Sequence, residues 1–403
     1  MSHNKEDFES KKLKPFISFG NFVAVAAVVF LIGFVAGTRK DMIFNFFTTG
    51  KTYSTAELDL SSVNDVYNTL RLNFDGSLDK NKLINGAKRG LVEAAGDRYT
   101  TFMDEQEATE FRKSLEGDVG AGIGVEIGER NGYVVVIRAL KNNPAIKAGL
   151  RSGDIFYKVN GEDVSQMTSE EVANKVRGTA GTSVKIVVVR DGEEKEFNIT
   201  REKINNPSVE LDYEGDVAIL KLSRFDNDTS TLAKKAAQEI NEKNISKVIL
   251  DLRSNGGGYV TAAQGVLGLW LDNKVVLIEK VSSGSSTEIK STSGDAILAG
   301  KKTVVLVDGY SASASEIVVG ALKDYQMATV VGETTFGKGS VQSVLDLDAG
   351  GILKVTIAKW YTPHNLNINN NGIKPDIEVV LTPEDINNDN DRQLKAALDT
   401  IRR

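Results

Sequence analysis

Three serines, Ser311, Ser313 and Ser315, alternate with alanine in the run S-A-S-A-S-E-I. The β-branched residues 303–307 before them predict a strand, and the pattern after them predicts a helix to about residue 324. A serine at such a turn presents its hydroxyl near the free backbone N–H groups of a helix N-terminus, which stabilise a developing oxyanion. The run is therefore a candidate source of a nucleophile for acyl transfer. Serines also cap helices for stability, and the spacing does not choose among the three.

A serine nucleophile needs a base, and the sequence offers few candidates. Cysteine is absent, which excludes thiolate nucleophiles, disulfides and cysteine-ligated zinc, and the histidines are His3 and His364. Lys338, in G-K-G, can accept the serine proton if burial lowers its pKa from about 10.4 toward neutrality. The alternative is a solvated lysine in a hairpin between flexible glycines. No metal or organic cofactor is predicted.

Charge and motif disfavour two other classes of function. The chain has 403 residues with 49 basic and 55 acidic side chains, a net charge of −6, so it offers no broad basic surface for nucleic acid. Gly332, Gly337 and Lys338 nearly match a phosphate-binding P-loop, but Gly339 stands where that loop requires Ser or Thr. A strand rather than a helix is predicted to follow, so the near match is rejected.

The N-terminal segment predicts export. Residues 22–37 are apolar and uncharged, and they approach the ~20 residues that span a bilayer. We predict a cytoplasmic tail at 1–15 and a single transmembrane helix at 16–38. The alternative is a cleaved signal peptide, because residues 35–37 resemble a cleavage site. Either interpretation places the rest of the chain on the extracytoplasmic side, and the first makes the chain a single-pass protein of the cell membrane.

The remainder of the chain divides into four segments with different residue patterns. Residues 54–116 carry apolar side chains at three- and four-residue steps and predict a small helical segment. Residues 117–203 contain short β-branched runs punctuated by glycine, with one helix, and predict a β-rich module. Residues 204–381 alternate strand and helix patterns and predict an α/β domain. Residues 382–403 are interpreted as a polar C-terminal tail.

The motifs around the serines and the lysine resemble those of the carboxyl-terminal processing proteases, the tail-specific Ser/Lys peptidases of family S41. The matching runs are S-A-S-A-S-E-I-V-V-G-A-L-K-D-Y, V-V-G-E-T-T-F-G-K-G-S-V-Q, L-D-L-R-S-N-G-G-G and Y-T-P…G-I-K-P-D-I. The middle module, with G-I-G-V, N-N-P-A-I-K-A-G-L-R-S-G-D-I and V-N-G, resembles the PDZ domain of these proteases. The resemblance extends from about residue 54 to 381. It implies a multidomain α/β (α+β) fold with an N-terminal transmembrane helix, a small helical segment, a PDZ-like β module and an α/β serine protease core.

The resemblance also implies a role for each matching residue. Ser313 matches the nucleophile, Lys338 the general base and Gln342 the glutamine that orients the lysine. The amides that match the oxyanion hole are those of Ala314 and of Gly257 or Gly258.

Two runs depart from the family pattern. Family members usually read N-P-G-G where this chain has N-G-G-G at 255–258, so the fixed φ of proline is lost there. Residues 364–367 also differ from the Gly and Arg usual after Y-T-P. An extended chain would separate Lys338 from Gln342 by about 13 Å, so a direct contact requires a bend, which the glycine on either side of Lys338 permits.

A PDZ domain binds an extended C-terminus as an added strand and receives its carboxylate on backbone N–H groups. The resemblance places this loop at residues 122–125, with an apolar wall on the predicted helix that faces it. The alternative is that the apolar residues of this loop only fill the core. The predicted substrate-binding residues are Gly122, Ile123, Gly124, Val125, Val172 and Val176.

The sequence thus predicts a membrane-anchored serine endopeptidase that recognises the C-terminal tails of exported proteins through a PDZ domain and cleaves them with a Ser313–Lys338 dyad. Its predicted partners are protein or peptide substrates, bound by their C-termini, and the membrane. A homodimer is a further candidate, and no nucleic acid is expected. The alternative is a catalytically silent PDZ scaffold, against which the intact Ser313, Lys338 and Gln342 argue.

Overall fold

The structure, a computed structural model, describes residues 58–292, 296–388 and 390–403. These residues divide into two compact units. In the smaller unit, residues 58–76 contain helix α1 (Ser61–Asn73). The larger unit begins at residue 77 and contains every residue of the predicted catalytic and substrate-binding sites.

The fold class predicted from the sequence is wrong in its N-terminal transmembrane helix. Within the part of the chain that the structure describes, no helix combines the length and the apolar character needed to cross a bilayer. The predicted span at 16–38 and the tail at 1–15 lie outside the described residues. The corrected class is a mixed α/β chain in which a β-rich module precedes an α/β core.

The larger unit opens with two helices that flank a short strand. These elements are α2 (Lys80–Glu93), β1 (Thr101–Met103) and α3 (Glu105–Leu115). At the start of α3, Asp104 accepts a hydrogen bond from the Glu107 N–H, and Glu107 accepts one from the Asp104 N–H. Arg89 of α2 contacts both carboxylates, at 3.2 and 2.7 Å, and so fastens α2 to the end of β1.

The middle module is an antiparallel sheet with its own buried core. Its elements are β2 (Ala121–Gly122), β3 (Val125–Arg130), β4 (Tyr133–Ala139), α4 (Pro144–Ala148), β5 (Ile155–Val159), β6 (Glu162–Asp163), α5 (Ser169–Val176), β7 (Ser183–Arg190), β8 (Glu193–Thr200) and β9 (Glu202–Lys203). Strands β3, β4, β5, β7 and β8 are neighbours in that order. Thr168 begins α5 with a capping box, because its hydroxyl accepts from the Glu171 N–H and the Glu171 carboxylate accepts from the Thr168 N–H. Helix α5 lies against β3.

The α/β core is built on a mostly parallel sheet. The elements of the core are β10 (Val209–Glu214), β11 (Val217–Leu222), α6 (Thr229–Glu242), β12 (Lys247–Asp251), α7 (Val260–Leu267), β13 (Val275–Lys280), β14 (Ser286–Lys290), β15 (Lys302–Val307), α8 (Ala314–Asp324), β16 (Thr329–Gly332), β17 (Ser340–Asp346), β18 (Ile352–Tyr361), β19 (Ile377–Glu378), α9 (Pro383–Asn387) and α10 (Arg392–Arg402). The sheet order is β10-β11-β12-β15-β16-β19, with β11 to β19 parallel and β10 antiparallel at one edge. Helices α6, α7 and α8 contribute to the larger buried cluster on one face.

The other face of this sheet is covered by the C-terminal helix. Ala397 and Ile401 of α10 are fully buried against Val217, Ile249 and Val304 of the sheet. Within the segment interpreted as a polar tail, α10 is therefore packed on the core sheet. Its apolar residues recur at helical spacing among charged ones, and only the partner sheet makes that spacing a buried face.

A second, antiparallel sheet joins the N-terminal strand to the core. Strand β18 pairs with β1, β13 and β17, and Thr101 lies opposite Lys354. Strand β17 carries Gln342, and its pairing with β18 shifts register between Val341 and Gln342. This sheet therefore brings the residues that precede β1 close to Gln342.

Candidate active site

Three loops meet at one edge of the core sheet. They follow β12, β15 and β16, which are adjacent and parallel, so their carboxyl ends lie side by side. The Ala312 N–H donates to the Asn255 carbonyl at 3.0 Å, which joins the first loop to the second. The Phe336 N–H donates to the Ser311 carbonyl at 3.0 Å, which joins the third loop to the second. The glycine-rich run, the serine run and Lys338 are thus brought together.

The hydroxyl groups of the three serines have different surroundings. Ser311 is fully buried, and its Oγ donates to the Leu252 carbonyl at 2.9 Å. Ser315 is fully buried as well, and its Oγ donates to the Asn255 carbonyl at 2.8 Å. Ser313 is half-buried at the turn between them. The two outer hydroxyls therefore hold the loops together, while Ser313 retains access to solvent.

Ser313 occupies an unfavourable backbone conformation. Its φ is 56° and its ψ is −115°, a region that residues with a side chain rarely adopt, and such strain costs on the order of 1–3 kcal/mol. The residue directly precedes α8, and its N–H donates to Glu316 Oε2 at 2.9 Å. This sharp strand-to-helix turn is the geometry that exposes a nucleophilic hydroxyl at the top of a sheet.

Glu316, which the sequence analysis did not single out, connects the turn to the loop of Lys338. The side chain is fully buried in the third position of α8. Besides Ser313, its carboxylate accepts from the Lys338 N–H at 3.0 Å, the Gly337 N–H at 2.7 Å and the Thr335 hydroxyl at 2.6 Å. The pattern S-x-x-E at a helix start could have identified Glu316 as a capping residue. Its bonds to the loop of Lys338 have no such signal.

Lys338 is half-buried, and its environment favours the neutral amine. Burial lowers the pKa of Lys338, the nearby positive charge of Lys354 lowers it further, and Glu316 partly offsets both effects. The Nζ atom lies 5.5 Å from the centre of the Tyr99 ring. The backbone carbonyl accepts from Trp360 Nε1 at 2.8 Å, which fixes the chain at this position. A lowered pKa makes the neutral amine, the form that can accept a proton, easier to reach.

Gln342 is directed toward Tyr99. Its Nε2 donates to the Tyr99 carbonyl at 2.6 Å, across 243 positions of sequence. Gly337 has a φ of 86°, so the chain does bend on one side of Lys338. The structure thus brings Lys338 and Gln342 to one residue, Tyr99, that the sequence analysis did not name. No short-range pattern marks Tyr99, since its partners are remote in the chain.

The glycine-rich loop approaches Ser313 closely. Gly257 has a φ of 101°, and a Cβ atom there would lie 2.8 Å from Ser313 Cβ and 2.9 Å from the Ala314 nitrogen. Ala314 is the first residue of α8, so its N–H has no acceptor within the helix. The Gly257 N–H donates to Asn255 Oδ1 at 2.9 Å. Gly258 has a φ of 144°, and a Cβ atom there would meet the backbone of Phe225. Of the predicted oxyanion-hole residues, Gly257 and Ala314 are therefore the pair that meets beside the nucleophile.

The predicted tail-binding residues lie together in the middle module. Ile123, Val172 and Val176 belong to one buried cluster, with 1, 0 and 4% of their surfaces exposed. Val125 begins β3 and packs on that cluster, and Gly124 has a φ of 77°. Gly122 pairs with Glu202 of β9. The loop 122–125 and the helix α5 are thus neighbours, and the valines of α5 face the module's core rather than an open cavity.

No group of three or more histidine and acidic side chains is placed to hold a metal ion in the described ranges. His364 is exposed, and its backbone N–H donates to Asp324 Oδ2 at 2.7 Å. This bond ties the turn after β18 to the end of α8.

Comparisons with known proteins cover both large modules. Residues 216–379 match the sequence profile described as peptidase family S41, and residues 121–200 match that of the PDZ domain. A CtpA-like serine protease of Staphylococcus aureus (strain MSSA476) is 34% identical over 359 residues, which span 89% of this chain and 70% of the relative. Its counterpart in Staphylococcus saprophyticus is 32% identical over 378 residues, which span 93% of this chain and 76% of the relative.

Two solved structures resemble the chain. The photosystem II D1 C-terminal processing protease has 28% sequence identity and a TM-score of 0.50, with 81% of this chain and 88% of that chain covered. A protein described as an S41 protease from Bacteroides fragilis has a TM-score of 0.60 with 87% and 99% covered, and its 14% identity supports the fold alone. The serines, Lys338 and the glycine-rich loop all fall within the profile match at 216–379.

Proposed function

The chain belongs to peptidase family S41, and from that premise we propose that it hydrolyses peptide bonds with Ser313 as nucleophile and Lys338 as general base. The resemblance to the carboxyl-terminal processing proteases is confirmed by the relatives and by the D1 processing protease, and the chain is a peptidase homologous to them. The observation that carries the proposed dyad is the carboxylate of Glu316, which accepts from the N–H groups of both Ser313 and Lys338. The catalytically silent scaffold has no observation in its favour.

The proposed reaction proceeds through an ester on Ser313. The Lys338 amine accepts the hydroxyl proton as Ser313 Oγ attacks the scissile carbonyl, and the protonated amine then donates to the leaving nitrogen. Lys338 next activates a water molecule, which hydrolyses the ester and releases the second product. The lowered pKa of Lys338 supports this assignment, because only the neutral amine can accept the proton.

We propose that the N–H groups of Ala314 and Gly257 stabilise the tetrahedral intermediate. Both lie beside Ser313, and donors of this kind are typically worth about 3–4 kcal/mol of barrier. The Gly257 N–H would exchange its bond to Asn255 Oδ1 for one to the oxyanion. That exchange replaces a neutral acceptor by a charged one, which makes the stronger hydrogen bond.

Peptide substrates are expected from the combination of PDZ and peptidase domains. We propose that the C-terminal tail is added to β3, with its carboxylate on the loop 122–125 and its last side chain between Val172 and Val176. The position of α5 against β3 supports this groove. Because both valines are buried, entry of an apolar side chain requires α5 to move away from β3.

The location proposed for the catalytic body is the extracytoplasmic side. Its support is the sequence, in which cysteine is absent and the apolar run 22–37 is of the kind that directs export. Protease accessibility of the chain in intact cells tests this assignment. The homodimer stays a prediction, which sedimentation of the purified protein would test.

The proposed dyad is tested with four alanine variants, three at the serines and one at Lys338, assayed on one peptide. Ser313→Ala and Lys338→Ala should each lose detectable cleavage while retaining the thermal stability of the parent. Ser311→Ala and Ser315→Ala remove structural hydroxyls, so they should lower stability by about 1–3 kcal/mol and retain most of the activity at a temperature where they are folded. An active Ser313→Ala protein, or an inactive and well-folded Ser311→Ala protein, would contradict the assignment.

A further inference from the structure

Tyr99 contacts both Lys338, the proposed general base, and Gln342, which is proposed to orient it. The Lys338 Nζ lies over its ring, 5.5 Å from the centre, within the range of a cation–π interaction. The backbone carbonyl of Tyr99 accepts a 2.6 Å hydrogen bond from Gln342 Nε2. Arg98 lies over the same ring, with its guanidinium carbon 4.5 Å from the centre, and donates to the Tyr99 hydroxyl. Tyr99 is half-buried, and so its position is constrained from several directions.

The loop that carries Tyr99 is fastened by its own hydrogen bonds. Asp97 accepts from the Thr100 hydroxyl at 2.6 Å and from the Tyr99 N–H at 3.3 Å. The Thr100 hydroxyl in turn accepts from the Thr356 N–H at 3.1 Å, on the strand that pairs with the strand of Gln342. These bonds hold the Tyr99 carbonyl in register with Gln342.

The same loop also reaches the chain beside Lys338. Arg98 donates to Asn370 Oδ1 at 2.8 Å, and the Asn370 N–H donates to the Gly337 carbonyl at 2.8 Å. Two routes therefore connect Tyr99 to the lysine loop, one through Gln342 and β17 and one through Asn370. These two connections fix the position of the Tyr99 ring relative to Lys338.

We propose that Tyr99 is a positioning residue of the site, whose ring holds the Lys338 amine in place while its carbonyl orients Gln342. The inference rests on the proposed Ser313–Lys338 function. The ring has two opposing effects on the amine. Its apolar bulk excludes water, which favours the neutral form, and its π face attracts the ammonium, which favours the charged form.

The charged groups around Lys338 come from three elements. Lys354 on β18 contributes a like charge, and Glu316 on α8 contributes an opposite charge. Arg98, in the loop before β1, is the second cation that contacts the Tyr99 ring. A substitution that removes only the π face should therefore shift the amine's titration without changing these groups. Tyr99→Leu keeps apolar bulk over the amine but removes both the ring and the hydroxyl that Arg98 contacts, so it is compared with Tyr99→Phe, which lacks the hydroxyl alone.

The test compares the pH dependence of kcat/KM for Tyr99→Leu, Tyr99→Phe and a control. Tyr99→Leu should lower the plateau roughly tenfold, since the amine is less well placed, and should move the midpoint of the acidic limb down by about half a pH unit, since the ammonium loses its π contact. Tyr99→Phe keeps the ring and should keep the wild-type midpoint. The control is Tyr213→Leu in the α/β core. It removes a ring whose centre lies 4.0 Å from the Nζ of another lysine, Lys243. Its profile should match the wild type.

A second measurement does not depend on activity. In a Ser313→Ala background, the rate of Lys338 acetylation by acetic anhydride is followed against pH by mass spectrometry. The midpoint should be lower in Tyr99→Leu than in Tyr99→Phe, and Tyr99→Met serves in place of leucine if the leucine variant does not fold. Equal midpoints and equal plateaus in the two variants would overturn the inference about Tyr99. Cleavage by Lys338→Ala or Ser313→Ala would instead overturn the proposed function, and the acetylation result would still report on Tyr99.

Discussion

The carboxylate of Glu316 accepts a hydrogen bond from the backbone N–H of Lys338, at 3.0 Å and across 22 positions of sequence. The same oxygen accepts from the backbone N–H of Ser313 in the strained strand-to-helix turn. One buried side chain on the first turn of α8 therefore sets the distance between the two loops of the proposed dyad. This relationship makes the placement of Lys338 depend on a residue that is neither the proposed nucleophile nor the proposed base.

Replacing Glu316 by glutamine should disable the site. The amide keeps the size of the side chain but offers one acceptor oxygen where the carboxylate serves four donors, so buried N–H groups lose their partners. We expect kcat/KM to fall by about a hundredfold or more and the free energy of unfolding to fall by about 2–4 kcal/mol. Steady-state kinetics and thermal unfolding measure the two effects.

The matched control for this change is Glu171→Gln. Glu171 occupies the same capping-box position on α5 but is exposed, so its replacement should cost little on either measure when a short peptide is the substrate. Equal activity of Glu316→Gln and the parent enzyme would show that Glu316 only caps α8.

The pH dependence of activity should report the amine of Lys338. In the proposed mechanism the neutral amine is the active form, so kcat/KM should rise with pH through the lowered pKa of Lys338 and level off above it. The positive charge of Lys354 lowers the pKa of Lys338, so Lys354→Gln should raise that pKa and move the rising limb to higher pH, by about half a unit. Lys359→Gln on the same strand changes an exposed side chain and should leave the limb in place. A shift to lower pH in Lys354→Gln would contradict the assignment of the base.

A methyl group at Gly257 should block the oxyanion hole. A Cβ atom there would lie 2.8 Å from Ser313 Cβ and 2.9 Å from the Ala314 nitrogen, in a backbone conformation that alanine avoids. Gly257→Ala should therefore lower kcat by at least a hundredfold. Gly256→Ala, where a Cβ atom meets nothing within 4 Å, is the neighbouring control and should remain active. Comparable kcat values for the two variants would place the oxyanion donors elsewhere.

Recognition of a free C-terminus should appear as a difference between two forms of one long substrate. Amidation removes the charge that the loop 122–125 is proposed to receive, and one charge-assisted contact is worth about 1.5–3 kcal/mol, so binding should weaken roughly ten- to a hundredfold. Cleavage of the long substrate should fall in proportion, while short peptides that reach Ser313 directly should be affected less. Equal cleavage of the acid and amide forms would remove the tail-sensing role from the PDZ domain.

Several features of this protein were determined by short stretches of sequence. The strand-to-helix turn with its serines, the alternation of strands and helices after residue 204, and the capping patterns T-x-x-E and S-x-x-E depend on residues a few positions apart. The family resemblance depends on runs of the same kind, and it supplied the roles of Ser313 and Lys338. Local hydrogen bonding and periodicity are readable from the sequence because the interacting groups are neighbours in the chain.

Other features were decided only by the tertiary structure. The register of β17 on β18 and of β18 on β1 brings Gln342 to Tyr99, and the parallel order of β12, β15 and β16 brings Glu316 to Lys338. Burial lowers the pKa of Lys338, and it distinguishes the accessible Ser313 from the fully buried Ser311 and Ser315. It is a property of the assembled chain. These contacts join residues that are remote in sequence, and their energies arise only once strands from both ends of the chain have paired.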